Sequence, residues 1–205
     1  MTRTTILCAA ALAALPATAA ANPWFPLRPG TTWVYRGAEQ GEPVRNVVTV
    51  THRTRVVDGV RCRVLFDRVY TAGKLTERTR DYYHQDGSGN VFYYGEDTAE
   101  LDGQGSVTSR EGTWHAGVGG ARRGLFMPRY PHVGEHHYQE FWAGRAEDQF
   151  RVTRLTKTLL RAREWTRLEP GVVSVKVYRR GVGQISEANV RGPQERLELV
   201  SMTGG

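Results

Sequence analysis

The dominant period along this chain is two. Val47-Val48-Thr49-Val50-Thr51-His52-Arg53-Thr54-Arg55-Val56 is β-branched and partly alternating, and Asp58-Gly59 after it is a strong two-residue hairpin turn. The spacing predicts a return strand over residues 60–70, with Val60, Cys62, Val64, Phe66 and then Arg68 on one face. Ala72-Gly73 supplies the next turn and residues 75–85 a third strand. Asp86-Gly87-Ser88-Gly89 then turns the chain into Asn90-Val91-Phe92-Tyr93-Tyr94. A second β-rich block follows near the other end. Residues 150–160 alternate as one strand, residues 172–178 alternate apolar with polar, Gly181-Val182-Gly183 turns into residues 184–190, and residues 196–202 form a last strand.

No segment carries a helical stripe longer than about ten residues, and roughly nine to eleven short strands with turn residues between them are expected. The fold class is therefore all-β and mainly antiparallel: a single-domain barrel, half-barrel or sandwich. Residues 101–148 interrupt the pattern with a long irregular middle rich in Gly, Pro, His and Trp. Such a stretch inside a compact domain is uncommon and often functional.

The start of the chain adds a compartment. Arg3 precedes an apolar run over residues 6–15, and Ala17-Thr18-Ala19 and Ala19-Ala20-Ala21 are small-residue cleavage sites, the pattern of a secretory signal peptide. The run is too short to span a bilayer, which takes about 20 residues. Residues 1–21 are thus expected to be removed, leaving residues 22–205 as one soluble, secreted or periplasmic domain with no transmembrane segment.

Hydrophobic content of 40% with 10% aromatics is enough for a packed core and excludes a disordered chain. Cys8 lies in the signal, which leaves Cys62 alone, so no intramolecular disulfide is available after processing. The net charge is +7, carried almost wholly by arginine spread along alternating strands. That reads as a solvated face. No nucleic-acid-binding module accompanies it, and export argues against such a partner.

Four constellations are candidates for chemistry. Residues 81–109 contain no Lys or Arg but six carboxylates, Asp81, Asp86, Glu96, Asp97, Glu100 and Asp102. Asp86, Ser88, Asn90 and Asp97 loosely echo the oxygen ligands of a calcium loop, although Val91 stands where that loop needs glycine. The strand over residues 75–86 puts Glu77, Thr79, Asp81, Tyr83 and Gln85 on one face, with Thr76, Arg78, Arg80, Tyr82 and His84 on the other. A strand polar on both faces is either an edge or lines a wet cavity. If the Glu77/Asp81 face points inward, its charges need partners, with Lys176 or an arginine as candidates. His115, His132, His136, His137 and Glu140 offer imidazoles, and His136 with Glu140 at i, i+4 suits a helix-borne metal site. Aromatic residues, with Trp114 and Tyr138 among them, are dense enough for a sugar-binding or amphipathic cavity, or for a plain core. No Gly-x-Ser-x-Gly elbow supports a serine nucleophile.

Asn22-Pro-Trp-Phe-Pro-Leu-Arg-Pro-Gly-Thr-Thr-Trp33 resembles the mature start of a set of exported bacterial proteins, mostly of unassigned function. So do Gln85-Asp86 with Gly89-Asn90-Val91-Phe92-Tyr93-Tyr94-Gly95-Glu96, Gly112-Thr-Trp114 with Ala116-Gly117, and Tyr138-Gln139-Glu140 with Ala146-Glu147-Asp148. The resemblance implies export and transfers no activity. At the level of architecture the chain also looks like lipid-handling half-barrels of the periplasm.

The leading expectation is an exported β-barrel-like protein that holds a small-molecule, glycan or lipid ligand in a cavity. Its ligand-binding candidates are Glu77, Asp81, Tyr83, Glu96, Trp114, His115, Tyr138 and Glu140. No cofactor is favoured, with calcium as the alternative; the metal candidates are Asp86, Asn90, Asp97 and His136. Two rival readings are an exported metal- or carboxylate-dependent enzyme and an envelope assembly factor acting through a sheet edge.

Overall fold

The computed structural model describes residues 20–204, so the signal-peptide reading lies, apart from Ala20 and Ala21, outside the described residues. No helix occurs among them. Five long strands come first: β1 (Thr32–Glu39), β2 (Glu42–Val57), β3 (Val60–Thr71), β4 (Lys74–Gln85) and β5 (Val91–Leu101). The middle segment carries five short ones: β6 (Val107–Ser109), β7 (Trp114–His115), β8 (Arg122–Met127), β9 (His136–Tyr138) and β10 (Glu140–Phe141). The last block holds β11 (Gln149–Leu155), β12 (Leu159–Trp165), β13 (Val173–Arg179), β14 (Gly183–Arg191) and β15 (Glu195–Thr203).

All fifteen belong to one antiparallel sheet, in the order β10-β8-β5-β4-β3-β2-β1-β15-β14-β13-β12-β11-β9, with β6 and β7 alongside β5. The meander β1 to β5 follows from its turns. Gln40-Gly41, Asp58-Gly59 and Ala72-Gly73 all have positive φ at both residues, the conformation that matches the twist of a two-residue hairpin. The N- and C-terminal blocks meet where β1 pairs β15 over its whole length, from Thr32 with Thr203 to Glu39 with Glu195.

The two ends of that strand order are the same piece of chain. β9 pairs β11 and β10 pairs β8, and only Gln139 separates β9 from β10. The Gln139 backbone N–H donates to the Asp148 carbonyl beside β11, and its Nε2 donates to Phe126 O on β8 at 2.8 Å. One residue therefore ties both edges and brings the sheet close to a closed barrel. Closure leaves few unpaired backbone groups at an edge.

Residues 22–27 plug one end. The Asn22 side chain, fully buried, donates to Gly89 O and Met127 O and accepts from the N–H groups of Trp24 and Phe25. That places Phe25 against Trp33, Tyr83 and Phe126 at ring-centroid distances of 6.1, 5.3 and 4.6 Å.

Two sequence expectations change. Residues 150–160 are not one strand but the hairpin β11–β12. Thr156 Oγ1 accepts from the N–H groups of Thr158 and Leu159, a local side-chain bond that turns the chain inside an otherwise strand-like run. On β3, Val64 and Phe66 do share a face, but it is an outer one, lining a groove with Arg55, Tyr82 and Asp97. Leu65 and Asp67 point the other way, into the barrel.

Candidate functional site

β4 is not an edge strand; it sits between β3 and β5. Its Glu77/Asp81/Tyr83 face turns inward and its Arg78/Arg80 face outward, so the wet-cavity reading of this strand holds. The interior of the barrel holds a partly open cavity of about 220 Å³. One wall is aromatic and apolar, made by Phe25, Trp33, Val48, Leu65, Phe126 and Leu197. Trp33 is pinned there by donation from its Nε1 to Val182 O at 2.7 Å. The remainder is polar, with six carboxyls, Asp67, Asp81, Glu140, Asp148, Glu164 and Glu187, against a single cation, Lys176.

The cation makes its direct contacts on one side, and its charge also reaches Asp148 and Glu140. Lys176 Nζ lies 2.6 Å from Glu164 Oε2 and 3.5 Å from Glu187 Oε1. Burial works against its ammonium, but the two carboxylates outweigh it and hold its pKa well above the usual value. Gln184 Nε2 donates to Glu187 as well, and the Tyr178 hydroxyl lies 3.4 Å from Glu164.

The other side has no cation. A bulge between Asp81 and Tyr83 on β4, matched by Gly95 at φ 126° on β5, puts Asp81 directly across from Glu96 and Tyr83 across from Tyr93. Without that bulge, plain hairpin counting from the turn at residues 86–89 sets Asp81 near Tyr94 and Glu96 between Asp81 and Glu77. The Tyr93 hydroxyl lies 2.7 Å from Asp81 Oδ1 and 3.1 Å from Glu96 Oε2. One hydroxyl has one proton, so it can donate to only one of them. Asn46 Nδ2 donates to Asp67. Burial raises the pKa values of Asp67, Asp81, Glu96 and Glu140, and repulsion from neighbouring carboxylates, Glu77 and Asp148 among them, adds to it.

Two polar groups on this side open onto the cavity without a protein partner among the described residues. Tyr83 is only 7% exposed, its ring stacks on Tyr93 at 4.4 Å, and its hydroxyl makes no hydrogen bond. Gln139 is 3% exposed, and its Oε1 accepts nothing, although its Nε2 is used in the seam.

Of the eight residues that the sequence nominates for a ligand, Asp81, Tyr83 and Glu140 line the cavity. Glu96 is one hydrogen bond away through Tyr93, and Glu77 is on the same face of β4, bonded by the Thr79 hydroxyl. Trp114 backs the site, edge-on to Tyr93 at 5.5 Å. His115 is elsewhere. It lies outside the barrel, its Nε2 2.9 Å from Asp97 Oδ1, in a network with Arg55 and Tyr82. Tyr138 packs on Phe141 at 5.1 Å.

The metal candidates do not converge. Asp86 is spent on its own turn, accepting from the N–H groups of Ser88 and Asn90 and from Asn90 Nδ2. Asp97 is bound to Arg55 and held below the usual carboxylate range: burial pushes it up, but bonds from Tyr82, Arg55 and His115 prevail. His136 stacks on Trp165 at 5.3 Å, in a strand and not a helix, which ends the i, i+4 reading with Glu140. Among the described residues no three His, Cys, Asp or Glu side chains are placed to hold a metal ion.

Several lining residues escape a sequence reading. Asp67, Asp148, Glu164 and Glu187 come from four different strands or loops. Glu164 left a trace in Leu160-Arg161-Ala162-Arg163-Glu164, where the carboxylate takes the place of the next core residue.

These features define a class: an all-antiparallel, nearly closed barrel around an acidic and aromatic cavity. No family model and no curated protein matches the chain. Its fold is similar to the crystal structure of a protein from Bacteroides fragilis classed as exported and as having a YmcC-like fold. That match has a TM-score of 0.50 and 12% identity, and it covers 88% of this chain and 99% of that one. A protein from Parabacteroides distasonis classed as a lipoprotein matches with a TM-score of 0.41 at 10% identity, over 89% and 99% of the two chains. At these identities the likeness concerns the fold.

Proposed function

We propose that this chain is an exported binding protein that holds a small ligand inside the barrel without transforming it. The carrying observation is the cavity itself: about 220 Å³ of space inside the barrel, an aromatic wall, and polar groups that converge on it. Export rests on the N-terminal pattern and is in keeping with the exported Bacteroides protein of similar fold. The site contains no nucleophile with an activating base, and its carboxyls lie among tyrosines, amides and one lysine.

A thermal-shift screen of neutral, anionic and cationic small molecules tests the reading. Val48→Phe, which fills part of the cavity, serves as control. A true ligand raises the melting temperature of the wild type with concentration and leaves the filled variant unmoved. If no compound does so, or if every hit stabilises both proteins equally, the cavity is not a binding site.

A further inference from the structure

We propose that the cavity takes a small organic cation, a primary ammonium group carrying a compact apolar tail, with the ammonium held between Asp81, Glu140 and the Tyr83 hydroxyl. This rests on the binding reading above and adds the charge of the ligand to it.

The charge distribution argues for the sign. The chain as a whole is +7, with its arginines facing outward, yet the space it encloses has six carboxyls and one lysine. That lysine is already committed to Glu164 and Glu187. Asp67, Asp81, Glu96 and Glu140 form no salt bridge with a cation among the described residues, although the Lys176 charge reaches Glu140. The region continues outward into a second depression of about 180 Å³, which shares Asp148, Glu164, Lys176 and Glu187 and adds Glu169 and Glu195 with no further cation. Buried carboxyls without a counter-ion resist ionising, and a ligand cation seated among them would let them ionise and pair with it.

Hydrogen bonding argues for the group. The Tyr83 hydroxyl and Gln139 Oε1 belong to lining residues that are themselves more than nine-tenths buried, and both atoms open onto the cavity with no protein partner. An ammonium has three donors and no acceptor, which suits a site whose open positions are carboxylate, hydroxyl and amide oxygens. A bare metal ion does not fit, because no three ligating side chains converge among the described residues.

Shape argues for the tail. The space equals about seven waters at roughly 30 Å³ each, and one side of it is Phe25, Trp33 and Phe126. Those rings accept an apolar chain or ring, and their faces attract a cation next to it.

Phenethylamine, neutral 2-phenylethanol and anionic 3-phenylpropionate are the probes, titrated calorimetrically into the full processed chain at pH 8. The amine should bind at least tenfold more tightly than the alcohol, and the carboxylate should not bind. Asp81→Asn and Glu140→Gln should each weaken the amine at least tenfold, about 1.4 kcal/mol. Unchanged far-UV spectra show that both variants fold, and two substitutions guard against the loss of one. Equal affinity for amine and alcohol, or amine binding untouched in both variants, overturns the inference. Tight binding of Ca²⁺ alone that both variants lose overturns it in favour of a metal. If all three probes fail while the screen finds a ligand that Val48→Phe abolishes, the cation is wrong and the binding role stands. If the screen is also empty, both fall.

Discussion

Asp81 shows what the barrel does to a single residue. It is 9% exposed and has no arginine or lysine beside it; its neighbours are the Tyr93 hydroxyl and Glu96. Burial, then repulsion from Glu96, lifts its pKa to about 8. A carboxyl raised above its unfolded value contributes stability that is whole below about pH 4 and is lost as pH rises through the folded value. Asp81→Asn cannot ionise and escapes that loss. In the absence of ligand the variant and wild type should melt together near pH 4, and the variant should melt roughly 3 °C or more higher near pH 9, the equivalent of about 1 kcal/mol in a domain of this size. Melting curves across that range decide it, and a variant less stable at pH 9 would mean that the Asp81 charge is compensated. Asn22 is the opposite case, a buried residue whose four hydrogen bonds are all made. Asn22→Ala strands two N–H groups and two carbonyls under the plug and should cost about 2–4 kcal/mol in urea unfolding. A cost below about 0.5 kcal/mol would show that the plug is not tied down.

Among the elements, the β4–β5 pair has the most influence on the site, because its bulge sets which carboxyls face each other. Gly95 allows it. At φ 126° no side chain is comfortable, and a Cβ there would run into the Trp114 carbonyl. Gly95→Ala should destabilise the fold by roughly 2 kcal/mol or more, the range for backbone strain combined with overpacking. Denaturant melts check the size, and a neutral result would mean that β5 and β7 separate easily. Among the pairings between strands of seven or more residues, the shortest is β14 with β15. Only Ser186–Ala188 pair with Arg196–Glu198, whereas β1 and β2 pair over eight residues. Amides along that seam should exchange faster than those of the β2–β3 ladder by at least tenfold, as hydrogen exchange with mass spectrometry would show. Uniform protection around the ring would make the barrel rigid there, and ligand entry would need another route.

The whole molecule gathers six carboxyls around a single lysine inside the barrel, while its net charge is +7. Its far-UV spectrum should be dominated by β structure, with helix well under the usual third of residues. Cleavage after Ala21 would put the new ammonium at Asn22 N, 2.7 Å from Gln85 Oε1, where a partner already waits. Intact mass of the exported protein should therefore place the N-terminus within about two residues of Asn22, and retention of residues 1–21 would refute the export reading.

The sequence alone determined what depends on neighbours in the chain. Period-two alternation and the positive-φ turns at Asp58-Gly59 and Ala72-Gly73 determine the meander, because side chains alternate across any strand and two-residue turns fix the register. The same alternation placed Glu77, Asp81 and Tyr83 on one face. It could not say that the face was inward, since a doubly polar strand looks the same at an edge as around a wet interior. Only the tertiary structure decided that, through the closure at Gln139, which makes β4 central and gathers Asp67, Glu140, Asp148, Glu164 and Glu187 from distant segments. It also separated His115, Asp97 and His136 from the site, because which carboxylate meets which histidine depends on bulges and strand order, and neither leaves a periodic mark in the chain.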